Sequence, residues 1–240
     1  MSLAAVWHDV ECSGYTADLT VWEELAYPVD GPVLELGCGT GRVALHLARR
    51  DTEVWAVDAD PSLTEALAAR AAADRLAVHA LCADVRALEL DRDFGLIVAP
   101  MQLLQMLGGP TGRRAALERA AAHLAPGGRL AAAIVESAGA GLDGPVAALP
   151  DVRERDGWVY SSIPVAVGTS GGGVEIRRWR QSVSPDGRLS EEEHTDRLDA
   201  LDVDTLEAEA LGIGLRPAER LAVRPAGGYV GSVVVILEGP

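Results

Sequence analysis

A glycine at every second position marks the stretch VLELGCGTGRVALHLA, where a short apolar run passes into an amphipathic run. The glycines are Gly37, Gly39 and Gly41, and Arg42 follows them. Glycine permits tight turns and leaves room for a ligand against the main chain. Arg42 stands where the last glycine of a dinucleotide-binding G-x-G-x-x-G turn would be. The junction is therefore predicted to be a strand-to-helix turn that holds either a ligand other than a dinucleotide or no ligand at all.

From residue 32 to 137, short apolar runs alternate with amphipathic runs, which predicts parallel strands joined by helices. The predicted strands are PVLEL, EVWAV, RLAVHAL, FGLIVA and RLAAAIVE. One helix follows the glycines, and a second is predicted to begin at Asp60 and Pro61, an N-cap followed by a first-turn proline. A third is predicted over about 111–124 and is expected to be stopped by the PGG at 126–128. The pattern favours an α/β fold, a doubly wound parallel sheet with helices on both faces.

The pattern changes after about Gly139, where a Gly/Pro-rich connection leads into extended runs. These are WVYSSIPVAV, VEIRRWRQSV and RLSEEEHTDRLDA, separated by GTSGGG and SPDG turns. They predict an inserted antiparallel β-meander, with a bulge near Arg177–Arg178, where the alternation of apolar and polar residues changes phase. A helix over 204–211, opened by Asp204 and Glu207 at capping-box spacing, is predicted to precede a closing hairpin.

Charge and composition restrict the classes of partner. The formal net charge is −15, and a field of that sign repels nucleic-acid phosphates and anionic lipid headgroups. The chain contains no lysine and no asparagine, which excludes Schiff-base, P-loop-lysine and asparagine-based sites. Its three cysteines lack metal-ligand spacing, so a reducing, cytoplasmic location and no metal site are predicted. Neither a secretory signal nor an apolar run of about 20 residues is visible, so no membrane partner is expected.

Two aspartates follow neighbouring predicted strands at the edge where the glycine turn lies. Asp58 ends the second strand, where a carboxylate can accept hydrogen bonds from both hydroxyls of a ribose. Asp84, in ADV, follows the third strand, where a carboxylate can receive an amino group such as that of adenine. Either aspartate alone could be a solvated strand end or an N-cap. Together with the glycines they predict a nucleoside site at this edge of the sheet.

In order, VLELGCGTGR, VWAVDADPSL, LCADVRAL, FGLIVAPMQLLQML and HLAPGGRLAAAIVE resemble the motifs of the class I S-adenosylmethionine-dependent methyltransferases of the small-molecule type. The resemblance covers about residues 13–137 and, in pattern, the C-terminal helix and hairpin. It implies a Rossmann-like, mostly parallel seven-stranded sheet with an antiparallel last strand. It also implies S-adenosyl-L-methionine as cofactor and in-line methyl transfer to an O, N or C atom of an acceptor.

By position, the resemblance assigns a role to each strand end. The implied cofactor-binding residues are Tyr15, Glu35, Gly37, Cys38, Gly39, Gly41, Asp58, Ala59, Ala83, Asp84, Val85, Ala99, Pro100 and Met101. The glycine turn would line the methionine and ribose portions, with Glu35 supporting it and Asp58 holding the ribose. Residues 83–85 would frame the adenine, and residues 99–101 would face the sulfonium and the acceptor. Tyr15 would contact the cofactor carboxylate.

Catalytic groups are less constrained, because methyl transfer can be accelerated largely by alignment of the reactants. Glu136, at the end of the fifth strand, is the candidate general base. His8, His194 and Tyr229 are the further candidates for a catalytic role. Gln105 is expected either to close the methyl-transfer side of the site or to be a helix-surface residue. The catalytic assignment therefore stays unknown at this point.

The expected organisation is a helical cap over residues 1–30, a core over 31–139 and 201–240, and a linker with an inserted substrate lid over 140–200. In the cap, Trp22 is expected either to pack over the site or to pack the helix onto the sheet. APMQ follows the fourth strand instead of the PPY sequence typical of many nucleic-acid and protein amino-methyltransferases. A small-molecule acceptor is therefore predicted, with the insert as a surface through which two copies can pair.

Two other classes of protein are compatible with parts of this pattern. One binds S-adenosylmethionine in the same fold but carries out other chemistry or only binds. The other is a nicotinamide oxidoreductase, which Arg42 disfavours.

Overall fold

The computed structural model describes residues 1–136, 144–145, 149–170, 172–226 and 229–239. The helices are α1 Leu3–Cys12, α2 Leu19–Ala26, α3 Arg42–Ala48, α4 Pro61–Asp74, α5 Pro110–Ala122 and α6 Val203–Leu211. The strands are β1 Val33–Leu36, β2 Val54–Asp58, β3 Val78–Cys82, β4 Phe94–Ala99, β5 Leu124–Ile134, β6 Gly144–Pro145, β7 Asp151–Arg155, β8 Trp158–Ser170, β9 Gly173–Val183, β10 Leu189–Asp199, β11 Arg216–Val223 and β12 Ser232–Glu238. Over these ranges no helix is both long enough and apolar enough to cross a membrane.

Seven strands form the central sheet in the order β11-β12-β5-β4-β1-β2-β3. The five neighbouring strands β5, β4, β1, β2 and β3 pair in parallel. Strand β12 is antiparallel to both of its neighbours, β5 and β11. The predicted fold class, a mostly parallel seven-stranded sheet with an antiparallel last strand, is confirmed. The strand order reverses between β1 and β4, and crevices at such reversal points are where doubly wound sheets bind ligands.

Helices cover both faces of this sheet, as the alternating sequence pattern predicts. Side chains of α2, α3 and α4 pack on one face in a cluster that includes Trp22 and Leu47. Side chains of α5 and α6 pack on the other face in a cluster that includes Leu117 and Leu206. Both faces of β1 are buried, which explains why its sequence is apolar at every position except Glu35.

A second, antiparallel sheet has the order β10-β9-β8-β6, with β7 also pairing with β8. It confirms the predicted β insert and adds two strands that were not predicted. The β7–β8 hairpin turns at Asp156 and Gly157, both with positive φ (51° and 78°). That pair of conformations is typical of a type I′ turn, for which Asp-Gly is a preferred sequence. The DG of RERDGWVY was thus a usable signal for the hairpin.

The predicted bulge is in the right place but on the wrong strand. The register shifts between Pro164 and Ala166 of β8, opposite Arg178 and Arg177, so the extra residue belongs to β8. In β9 the alternation is unbroken. It looked interrupted because an arginine, Arg178, occupies a position facing the core side, where Asp196 accepts from its Nε at 3.0 Å.

Two helix boundaries differ from the prediction. Helix α5 ends at Ala122, before the PGG at 126–128, because His123 makes contacts outside the helix. Its ring accepts a hydrogen bond from the N–H of Leu90 at 2.8 Å. Its backbone carbonyl accepts from the N–H of Phe94, the first residue of β4. Helix α6 begins one residue earlier than predicted, and its N-cap is Asp202, whose side chain accepts from the N–H of Thr205. The Asp204–Glu207 capping box is therefore wrong.

Candidate functional site

The turn between β1 and α3 carries the three alternating glycines, and all of them have left-handed φ. The values are 67° at Gly37, 53° at Gly39 and 95° at Gly41. A Cβ at Gly37 would lie 2.7 Å from Leu103, and one at Gly39 would lie 2.1 Å from His8. Backbone conformation and close packing therefore both require glycine here.

Asp58 lies at the end of β2, directly beside this turn. Its Oδ2 accepts from the N–H of Gly39 at 2.8 Å, and its Oδ1 accepts from the N–H of Asp60 at 2.9 Å. The side chain of Asp60 in turn accepts from the N–H of Ser62 and caps α4, as the sequence predicted. The structure thus brings Asp58 and Gly39 together and leaves Asp58 partly exposed at the strand edge.

Helix α1 lies over the same turn. His8 Nδ1 is 3.0 Å from Thr40 Oγ1, and the Thr40 hydroxyl donates to Asp9 Oδ1 at 2.7 Å. Arg70 of α4 donates to both oxygens of Asp9 and, at 3.1 Å, to the carbonyl of Thr40. Burial lowers the pKa of His8, a shift that the nearby Asp58 carboxylate partly opposes. The cap is therefore fixed to the glycine turn by polar contacts.

A buried ion pair holds the second part of the cap. Arg42 donates to Asp18 through both terminal nitrogens, at 2.6 and 2.7 Å, and to the carbonyl of Tyr15 at 2.9 Å. The indole N–H of Trp22 donates to Asp18 Oδ2 at 2.8 Å. The Arg42 guanidinium lies 5.1 Å from the centre of the Tyr15 ring, which packs on Tyr229. Trp22 is fully buried in the core cluster, so it packs the helix onto the sheet.

Glu35 is the one acidic side chain inside β1, and it is buried. Its Oε2 has no hydrogen-bond partner within the described part of the chain. Burial raises the pKa of this carboxyl to about 8, and the nearby Arg42 guanidinium only partly opposes that shift. An orphaned carboxyl oxygen under a glycine turn is a polar group that a hydrogen-bonding ligand can satisfy. Cys38 next to it is buried, and burial raises the pKa of its thiol, so no thiolate chemistry is indicated.

The segment after β4 leaves the sheet through an unusual backbone conformation. Ala99 and Pro100 are buried, whereas Met101 and Gln102 both have left-handed φ, 49° and 59°. Consecutive non-glycine residues in this region are costly and are concentrated at functional sites. The turn also carries Leu103 towards Gly37, so this loop and the glycine turn are in contact.

Gln105 does not face the site. Its Nε2 donates to the carbonyls of Val135 and Asp199, each at 3.0 Å, and its Oε1 accepts from the N–H of Val135 at 2.8 Å. It therefore joins the loop after β4, the end of β5 and the last strand of the insert. Neither expected role, closing the site or lying on a helix surface, fits these contacts.

The adenine edge predicted after β3 consists of Ala83, Asp84 and Val85, of which Val85 is buried. Asp84 accepts from the N–H of Arg86 at 2.9 Å and pairs with its guanidinium. These hydrogen bonds from Arg86 lower the pKa of Asp84. Ala59, at the neighbouring strand end, is exposed. The strand ends thus lie side by side, although Asp84 already has an internal partner.

The candidate catalytic groups are dispersed. Glu136 is exposed, and its Oε1 accepts from the N–H of Val203 at 3.3 Å, at the start of α6. His194 contacts Asp196 within β10 at 3.2 Å. Tyr229 donates to Asp151 at 3.1 Å, and burial raises its pKa. The structure does not bring these side chains into one catalytic cluster, and it gathers only His8 with the glycine turn.

Comparison with known proteins bears on the same residues. Residues 33–128 match the model of a family described as a methyltransferase domain. These residues are therefore similar to a methyltransferase domain. The cypemycin N-terminal methyltransferase of a Streptomyces species is 36% identical over 114 residues, 47% of this chain and 45% of the relative. The chain thus matches less than half of that relative's length.

Solved structures resemble this chain over its whole fold and not only over residues 33–128. CalS10, an amino pentose methyltransferase from Micromonospora echinaspora determined with S-adenosylmethionine bound, has a TM-score of 0.78 at 19% identity. The alignment covers 98% of this chain and 97% of that chain. KedS8, a sugar N-methyltransferase from a Streptoalloteichus species, has a TM-score of 0.76 at 20% identity, over 98% of this chain and 90% of that chain. At these identities the likeness establishes the fold.

Several residues that hold the cap to the glycine turn were not singled out from the sequence. Asp9, Thr40 and Arg70 fix α1 to the glycine turn, and Asp18 and Arg42 form the buried ion pair. Arg42 had been noted only as the residue that breaks a dinucleotide pattern. A pair so distant in sequence offers no local signal, so its partner could be identified only from the fold.

Proposed function

We propose that the chain is an S-adenosylmethionine-dependent methyltransferase that acts on an amine of a small molecule. The observation that carries the proposal is the position of Asp58, partly exposed beside the glycine turn at the reversal point of the sheet. A carboxylate there is suited to the two hydroxyls of a ribose. The orphaned Oε2 of Glu35 fits a ligand with a hydrogen-bonding group placed against the same turn.

The residues that would hold the cofactor are those at the strand ends. Tyr15, Glu35 and the turn from Gly37 to Gly41 would surround its methionine portion, and Asp58 with Ala59 would hold the ribose. Residues 83–85 would frame the adenine. The bound cofactor supplies a methyl group on a positively charged sulfur. Ala99, Pro100 and Met101 would border that methyl group, where the strained turn after β4 fixes the approach of the acceptor.

An amine acceptor suits the scattered arrangement of acids and histidines. A neutral amine attacks without a general base, whereas a hydroxyl needs one close to the reacting oxygen. Glu136, the candidate base, is exposed and already accepts from the N–H of Val203. The names of the relatives point the same way: an amino pentose methyltransferase, a sugar N-methyltransferase and an N-terminal methyltransferase.

We infer four further properties of the whole chain. The insert over 140–200 acts as the acceptor lid, supported by the contact of Arg180 in β9 with Glu11 of the cap at 2.7 Å. The free outer edge of β10 is the part of the insert through which two copies can pair. Three free cysteines suit a reducing cytoplasm. A net charge of −15 disfavours nucleic acid as a partner.

The cofactor assignment is tested by calorimetric titration of S-adenosylhomocysteine, with NAD as the competing ligand class. Asp58→Ala removes a charge-assisted contact with the ribose and is expected to weaken S-adenosylhomocysteine binding by about 10- to 150-fold. Asp74→Ala, at an exposed salt bridge with Arg49, is the matched control and should bind normally. Binding of NAD in place of S-adenosylhomocysteine would reject the proposal.

The acceptor assignment is tested separately, by methyl transfer to amine acceptors and to their hydroxyl analogues. Labelled product from amines only is expected. Binding of S-adenosylhomocysteine without methylation of any acceptor would instead favour a binding protein or an enzyme with other chemistry in the same fold.

A further inference from the structure

His8 presents one ring nitrogen to the candidate cofactor site, and its hydrogen bonds determine the state of that nitrogen. The Thr40 hydroxyl has one proton, which it donates to Asp9 Oδ1 at 2.7 Å. Asp9 is paired with the Arg70 guanidinium, so it is a carboxylate that can only accept. The contact between Thr40 Oγ1 and His8 Nδ1 at 3.0 Å must then be donated by the ring. A neutral His8 therefore carries its proton on Nδ1, and its Nε2 is a bare acceptor.

The Nε2 atom lies against the glycine turn. A Cβ on Gly39 would be only 2.1 Å from it, so the ring packs directly on the Gly39 backbone. The N–H of Gly39 donates to Asp58 at 2.8 Å, which places Asp58 on the same residue. Among the described residues, no hydrogen-bond partner of Nε2 is found. Since His8 as a residue is only partly buried, a ligand at this turn has access to its side chain.

Burial favours a neutral His8 ring. Burial lowers its pKa; Asp58, Asp9 and Glu11 oppose this shift, and Arg42 adds to it. A neutral imidazole with a free lone pair accepts a hydrogen bond from a hydroxyl and does not compete for the Asp58 carboxylate.

We propose that His8 Nε2 is a second hydrogen-bond acceptor for the ribose of the cofactor, beside Asp58. This inference rests on the proposed function, because the ribose is that of S-adenosylmethionine. It assigns a binding role to a residue of the N-terminal cap, outside the matched domain. Two acceptors, one from β2 and one from α1, then serve the two hydroxyls. The cap is a direct part of the cofactor site and not only a cover for it.

Two substitutions separate the two ring nitrogens. His8→Asn places an amide group near the position of Nδ1, so it keeps a partner for Thr40 and lacks an acceptor at Nε2. His8→Gln reaches the position of Nε2 and restores an acceptor there. The control is His79→Phe, which replaces an exposed histidine of β3 that contacts Glu53. Thermal unfolding of each variant checks that the cap remains docked.

The experiment measures the affinity of S-adenosylhomocysteine and of its 2′-deoxy and 3′-deoxy analogues by calorimetry. His8→Asn is expected to weaken S-adenosylhomocysteine about 3- to 12-fold, His8→Gln less, and His79→Phe not at all. With the analogue that lacks the hydroxyl served by His8, the effect of His8→Asn should disappear. As an independent readout, long-range ¹H–¹⁵N correlation spectra should show the Nδ1–H tautomer, with the Nε2 resonance shifting when S-adenosylhomocysteine is added.

Equal weakening of all three ligands would mean that His8 acts only through the fold of the cap, and it would overturn the inference. An unchanged affinity of His8→Asn, or a proton on Nε2, would do the same. If the wild-type protein does not bind S-adenosylhomocysteine at all, the proposed function itself is wrong. If the wild type binds and His8→Asn binds equally well, only the inference about His8 is wrong.

Discussion

The buried pair of Asp18 and Arg42 allows a quantitative prediction about the stability of the cap. The side chains are 2% and 8% exposed, respectively. Asp18 accepts two hydrogen bonds from Arg42 and one from the indole of Trp22. Asp18→Ala would leave a guanidinium, which stays charged at any ordinary pH, with only the carbonyl and ring of Tyr15 as partners. It would also leave the Trp22 N–H buried and unpaired.

Removing one member of a buried ion pair costs about 3–5 kcal/mol, because the remaining charge is uncompensated. For a chain of this size that corresponds to a fall in Tm of about 6–20 °C. Replacing both members by apolar residues, Asp18→Ala with Arg42→Leu, removes the stranded charge. The double variant should therefore be more stable than Asp18→Ala alone.

Urea unfolding followed by tryptophan fluorescence measures these free energies, with thermal scans as a second probe. The control is Asp74→Ala, which breaks the Arg49–Asp74 pair; its side chains are 53% and 48% exposed, so the expected cost is about 1 kcal/mol or less. If Asp18→Ala costs no more than this control, or if the double variant is the less stable one, the cap is not held by this pair.

Two further predictions concern the glycine turn and the strand beneath it. Because burial raises the pKa of Glu35 to about 8, the folded state retains a proton that the unfolded state loses above pH about 4.5. The free energy of unfolding should then fall as pH rises from about 4.5 to 8, by up to about 1.4 kcal/mol per pH unit. Glu35→Gln should flatten this slope when unfolding is measured as a function of pH. A wild-type slope of the opposite sign would contradict the reasoning. Gly41→Ala places a Cβ 2.2 Å from Leu67 at a φ of 95°, so it should destabilise the protein by about 1–3 kcal/mol, with part of the loss recovered by Leu67→Ala; no recovery would argue against the steric explanation.

The central sheet could be predicted from sequence because strands such as β1, β4 and β12 are almost completely buried and several strands end at turns with a specific residue requirement. The glycines after β1 and the Asp60–Pro61 start of α4 are local signals, and local signals are sufficient for elements of this kind. The number of seven strands and the antiparallel last strand came from the resemblance to a known family and not from the residues alone.

The insert shows where such signals fail. Arg178 and Arg180 of β9 face the core side because Asp196 and Glu11 receive them there. A polar residue at an inward position looks like a change of phase when its partner is 169 residues away in sequence, as Glu11 is from Arg180. The bulge was consequently assigned to β9 instead of β8. The Asp-Gly turn before β8 was a local signal, and it was missed.

The candidate site divides in the same way. Its parts at the strand ends, such as Asp58 and Gly39, follow from position in a doubly wound sheet. The contacts made by the cap could not be predicted in this way, because they depend on where α1 and α2 dock. His8, Asp9 and Asp18 acquire partners only in the folded chain. The cofactor roles of all these residues stay predictions until a ligand is measured.

Helix α1 contacts two parts of the molecule at once: His8 and Asp9 reach the glycine turn, and Glu11 receives Arg180 of the insert. The insert is therefore not an independent module that can be exchanged between enzymes. A chimaera that borrows a foreign insert would leave Glu11 without its arginine and disturb the helix that contacts the glycine turn. Grafts in this fold should transfer the first dozen residues together with the insert.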